Sequence, residues 1–309
     1  MGRVMPAMLG GVPVFFGCGG DPGVAVFVQD EPTEAVDSGS SIDWPETVAE
    51  GDACAEEEPE PVIGPWADTV PVPGTTYAQG CTRPDDLPCY PNEFPVRTVT
   101  VGDVQAMVTE VNQELWRAVK GDNPSAHRSC GCNCPVESIS WYEAVDFANT
   151  LSERQGLSPA YTIDGLDVSW DTDASGWRLP TEAEWERAAK GDEDHLVAGD
   201  VDVTAAAWYR ENAPDGPRPV GIKEPTAHGL HDLNGNVWEW VWDWAVPYTD
   251  SAVTDPTGPT TGTVKILRGG SYVDDYRVVR TSVRRELAPD QRVDSVGLRL
   301  VRGPLTAAP

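Results

Sequence analysis

Three short stretches hold residue types that do chemistry. In NGNVWEW (234–240), two Asn, one Gly and Glu239 fall within six positions. Carbonyl, amide and carboxylate oxygens turned toward one point suit a hard cation such as calcium, and calcium is the expectation. The alternative is a tight turn with Asn and Gly in left-handed conformations and Glu239 in an ion pair. The second stretch is CGCNC (Cys130, Cys132, Cys134), close to His127. Thiolates and imidazole hold zinc or copper. This spacing is tight for a tetrahedral cage, however, and an exported chain favours disulfides. The third is Glu182 and Glu186, four apart on a predicted helix, where two carboxylates could serve as acid and base. No partner residues accompany them, and pairing with Arg is the structural expectation. His195, His228 and His231 form no metal-ligand or triad spacing.

These stretches need elements to position them. SWYEAVDFANTLSERQG (140–156) reads as an amphipathic helix: Ser140 caps it, Glu143 completes a capping box, and Ala144, Phe147, Ala148 and Leu151 recur at helical spacing. LPTEAEWERAAKG (179–191) reads as a second helix, with Thr181 and Glu184 as its box. VRTVTV (96–101) alternates as a strand does, and KILRGGSY (265–272) and VGLRLVR (296–302) look like short strands. Between Gly199 and Gly270, turns such as APDGPRP and DPTGPTTG predict mostly loops. Twelve Trp stand beside five Phe, eight of the Trp between Trp170 and Trp244. The alternating Trp238, Trp240, Trp242 and Trp244 are expected in the core rather than on a ligand-stacking face. Arg280, Arg284, Arg285, Arg292, Arg299 and Arg302 predict ion pairs that hold a loop-rich core, the alternative being a pocket for an acidic peptide.

Composition narrows the partners. In 309 residues, 22 Lys+Arg face 50 Asp+Glu, a net charge of -28. Such a surface repels phosphate backbones and anionic lipid heads, so neither nucleic acid nor direct membrane docking is expected. No stretch reaches the roughly 18 apolar residues of a spanning helix. The first seventeen residues read as a secretory signal, and Phe15-Phe16-Gly17-Cys18 resembles a bacterial lipoprotein signal in which Cys18 is lipidated. The expected organisation is a signal over 1–18, a disordered acidic linker over 19–66, a domain over 67–303 and a tail over 304–309. Seven Cys occur, at 18, 54, 81, 89, 130, 132 and 134. Cys81 and Cys89 flank a short loop and pair first; Cys130 with Cys134 is next, leaving Cys54 and Cys132 to bond, stay free or dimerise.

Several motifs, in order, resemble the formylglycine-generating enzyme (sulfatase-modifying factor) family: TEVNQELW (109–116), CPVESISWYEAVDFAN (134–149), GWRLPTEAEWE (176–186), GLHDLNGNVWEWVWDW (229–244), LRGGSY (267–272) and VGLRLVR (296–302). The resemblance implies a single α+β domain, related to C-type lectins and low in regular structure. It implies a structural calcium held through Asn234, Gly235, Asn236, Val237 and Glu239. A second family calcium site would lie near 208–212 and 219–221. Family enzymes oxidise a substrate cysteine with copper(I) held by two cysteines just after the GGS(W/Y) motif. Here Gly269-Gly270-Ser271-Tyr272 is followed by Val273-Asp274-Asp275-Tyr276, about three residues shorter and without Cys, so copper is not expected. A further branch takes iron from histidines on an attached helical domain that this sequence does not contain. The resulting expectation is an exported, lipid-anchored envelope module that binds or scaffolds a protein or peptide partner. An oxidase with non-standard ligands and a lectin-like glycan binder are the alternatives.

Overall fold

WEWVWDW makes the central strand of the largest sheet. A computed structural model describes residues 67–83, 88–192, 195–198 and 202–303, all within one compact unit. Cys18, Cys54, the linker and the tail lie outside the described residues. In chain order the elements are β1 (Thr69–Val72), β2 (Thr75–Gln79), β3 (Arg97–Val101), β4 (Val104–Met107), α1 (Gln113–Lys120), α2 (Trp141–Arg154), β5 (Tyr161–Asp164) and β6 (Asp167–Trp170). There follow α3 (Glu182–Lys190), α4 (Val203–Ala206), β7 (Trp238–Trp244), β8 (Val253–Thr254), β9 (Lys265–Arg268), β10 (Arg285–Leu287), β11 (Val296–Leu298) and β12 (Val301–Arg302). The four-stranded sheet runs β10-β9-β7-β11, with β11 parallel to β7. Two three-stranded sheets, β1-β4-β12 and β2-β3-β8, and the hairpin β5-β6 surround it.

The two predicted helices form where their caps place them. Ser140 Oγ accepts from Glu143 N, the Glu143 carboxylate returns to Ser140 N, and α2 runs to Arg154. Thr181 and Glu184 close the same reciprocal box at α3, satisfying amides that otherwise lack partners. The apolar stripe of α2 (Trp141, Phe147, Ala148, Leu151) packs against Trp238, Trp240, Leu267 and Leu298. Each large side chain buried this way stabilises the fold by about 2 kcal/mol. Trp185 and Ala189 of α3 pack on Leu230, Val241 and Ile266.

Between residues 202 and 270 loops predominate, as expected, and β7 is the long exception. This strand is buried on both faces, so Glu239 and Asp243 alternate with Trp without facing solvent. Charged residues in the run imitate a half-exposed pattern; Arg299 pairs with Glu239, and the Glu182 amide donates to Asp243. Trp238 and Trp240 lie in the core as expected; Trp242 and Trp244 are half-buried beside it. Cys81–Cys89 and Cys130–Cys134 are bonded, the two pairings the spacing favoured, and Cys132 is also disulfide-bonded. The CGCNC cluster therefore offers no thiolate for zinc or copper.

Candidate functional site

The turn before β7 is built by its own amides. Asn234 clamps the backbone of Ala198, accepting from its N at 3.1 Å and donating to its O at 3.3 Å. Gly235 has φ +77°, and a Cβ there would lie 1.9 Å from the Trp208 carbonyl oxygen. Asn236, at φ 57°, donates through Nδ2 to Glu110 Oε2 (2.6 Å) and accepts from Arg218 N (2.9 Å). Val237 N donates to the other Glu110 oxygen at 3.1 Å. Glu239 is buried, pairs with Arg299 at 2.9 Å and accepts from Trp185 Nε1 at 2.6 Å. The left-handed turn and the Glu239 ion pair weighed from the sequence are thus both present.

Around this turn sits a surplus of buried negative charge. Burial first, then the carboxylates of Asp232 and Glu239, push Glu110 well above the ordinary carboxylate range. Asp232 and Glu239 are also raised by burial, opposed for Glu239 chiefly by Arg299. Asp232 Oδ2 accepts from Gly221 N at 2.7 Å, but its buried Oδ1 has no partner. Three carboxylates share one guanidinium, and an orphaned carboxylate oxygen is costly. Protons or a hard cation would remove that cost; Asp232 Oδ1 is the oxygen open to one, while the side-chain oxygens of Glu110, Glu239, Asn234 and Asn236 already accept N–H donors. Glu110 and Asp232 were not foreseen as site residues. Asp232 lies two positions before Asn234, but Glu110 is 126 positions from its bonding partner Asn236, and no local pattern shows it. Among the described residues, the three-member His/Cys/Asp/Glu group with ligand atoms all within 4.8 Å is Cys81, Cys89 and Glu93, whose two sulfurs are bonded to each other.

The segment after Gly269-Gly270 is held by an aspartate. Asp274 Oδ2 accepts from Ser271 Oγ at 2.6 Å and from Trp238 Nε1 at 2.8 Å. Arg285 approaches Asp274 Oδ1 at 3.6 Å while its guanidinium lies 5.6 Å over the Trp238 ring. These are hard oxygen ligands already committed to donors, where a copper(I) centre demands soft sulfur. Beside them, Val273, Tyr276 and Arg277 are exposed.

The remaining predicted residues are structural. Glu182 is bound by Arg284 at 2.5 Å and approached by Arg268 at 3.4 Å; Glu186 is bound by Arg268 at 2.7 Å, all buried. No open acid–base pair exists there. Arg280 pairs with Glu93 at 2.8 Å in the interior, so Arg280, Arg284 and Arg299 follow the ion-pair expectation. Arg285 and Arg292, though exposed, pair with Asp274 at 3.6 Å and Glu143 at 2.7 Å, and Arg302 lies 5.3 Å over the Trp177 ring.

Residues 56–304 match the sulfatase-modifying factor enzyme 1-like domain. The chain belongs to this family. It is 32% identical over 246 residues to the chaperone protein LppX of Paenibacillus barcinonensis, covering 67% of this chain and 82% of that one. It is 31% identical over 294 residues to the formylglycine-generating enzyme of Thermomonospora curvata, covering 76% and 93%. Among solved structures, Treponema denticola variable protein 1 superposes with a TM-score of 0.70 at 32% identity, covering 76% of this chain and 95% of that one. The mixed α and β elements are those of one such domain. No helix among the described residues is long and apolar enough to cross a membrane.

Proposed function

We propose that this chain is a non-catalytic binding or scaffold module of the cell envelope, exported and anchored by lipid at Cys18. The observation that carries this reading is Asp274. It stands in the segment where the family's enzymes carry copper-binding cysteines, with its oxygens occupied by Ser271, Trp238 and Arg285. The similarity to LppX, named a chaperone, supports a protein or peptide partner. The exposed Val273, Tyr276 and Arg277 offer such a partner an amphipathic face beside the family's catalytic position. Calcium at the 234–239 turn would be structural: Asp232, Glu110 and Glu239 would share its charge, with Asn234, Gly235, Asn236 and Val237 shaping the backbone around it. When bound it would supply charge compensation. Purified protein incubated with copper(I) and a cysteine peptide tests the reading; no formylglycine should form, and copper-dependent oxidation of the peptide would overturn it.

A further inference from the structure

We propose that the Cys130–Cys134 disulfide is an exchange site that takes electrons from a dithiol of a partner protein. Its two sulfurs are unequally placed. Cys134 is fully buried, whereas Cys130 is half-buried and lines an open cavity of about 300 Å³ with His127, Asp215 and Arg218. Cys130 Sγ lies 3.3 Å from the Pro217 carbonyl oxygen, which places the sulfur itself at the wall formed by the 215–219 loop. In the Cys81–Cys89 pair, Cys89 is half-buried but lines no such cavity among those described, and Cys81 is buried at a void of about 10 Å³, too small for an attacking thiolate.

Two cationic side chains, His127 and Arg218, line the cavity that Cys130 would enter as a thiolate, against one carboxylate, Asp215, and the Pro217 carbonyl oxygen. His127 stands at the N-cap position of the short 3-10 turn Arg128–Cys130, and both His127 and Cys130 line the same cavity. The ring is held from both sides, with Nδ1 3.3 Å from buried Glu137 and Nε2 3.3 Å from the Tyr272 hydroxyl. Gly216 packs against it so closely that a Cβ would meet the ring at 2.9 Å. An imidazolium or guanidinium beside a cysteine sulfur stabilises the thiolate, and His127 and Arg218 face the same cavity.

A partner thiolate attacks Cys130 Sγ and the Cys130–Cys134 bond breaks. Cys134 leaves and takes up the proton given up by the partner thiol. The partner's second thiolate then attacks the partner sulfur of the mixed disulfide, and Cys130 leaves as a thiolate into the cavity. The partner dithiol is oxidised to a disulfide and the Cys130/Cys134 pair is reduced by two electrons. This inference stands independently of calcium and of the partner face at Val273.

The test uses the oxidised full chain and a synthetic peptide carrying two reduced cysteines, with iodoacetamide labelling read by mass spectrometry. Peptide should be oxidised mole for mole. Label should appear on Cys130 before Cys81, Cys89 or Cys132 while Trp fluorescence stays native, and on buried Cys134 once the labelled chain is unfolded. In His127→Gln, the mixed disulfide should persist about threefold longer or more, because Cys130 leaves less readily. Label appearing first on another cysteine, or on Cys130 only in denaturant, would overturn the proposal. An unchanged mixed-disulfide lifetime would overturn the role given to His127.

Discussion

At position 235 the backbone leaves no room for a side chain. A methyl there would overlap the Trp208 carbonyl at 1.9 Å, on a residue already at φ +77°. Gly235→Ala should therefore cost upward of about 2 kcal/mol, read as a drop in the urea midpoint. Arg299 is the one guanidinium among Glu110, Asp232 and Glu239, and it also donates to the carbonyls of Met107 and His231. Arg299→Met should cost about 3–5 kcal/mol in the calcium-free chain, because it strands Glu239 without a cation; equilibrium denaturation measures it. At this scale the sequence showed the turn, since Asn and Gly tolerate left-handed backbone. It did not show which charges meet: the partners of Glu239 and Asn236 lie 60 and 126 positions away.

Among elements, the helices were legible and the central strand was not. Capping boxes are local, four-residue signals, so both helix starts stand where Ser140 and Thr181 put them. Thr181→Ala should lower stability by about 1 kcal/mol with little change in denaturant slope, as measured in urea. The strand β7 escaped because its acidic residues suggest an exposed face that does not exist. Trp185 Nε1 and Arg299 satisfy Glu239, and Glu182 N donates to Asp243 at 2.7 Å. Helix α1 was also missed, although Asn112 caps it and Gly121 ends it at φ 83°. At eight residues it is too short for apolar periodicity to reveal it.

Over the whole molecule, buried carboxylates divide into two groups with opposite pH dependence. Burial pushes Glu182 and Glu184 upward, but Arg284 and Arg178 respectively outweigh it and hold them low. Their stability is present above the ordinary carboxylate range and is lost on acidification. Glu110, Asp232 and Glu239 are raised, so their contribution is full below that range and lost as pH rises through the elevated values. Glu110→Gln should therefore lose less stability than the parent between about pH 5 and 8 in calcium-free buffer, read as the difference in melting temperature. Calcium should stabilise the parent more at the higher pH, because protons and the ion compete for the same oxygens.

As proposed, this family domain holds a structural calcium and no catalytic copper. Elemental analysis of the oxidised full chain, dialysed after exposure to calcium and copper(I), tests it most directly. About one or two calcium ions per chain, held by oxygen ligands, and no retained copper are expected. One equivalent of copper per chain, surviving dialysis, would contradict it.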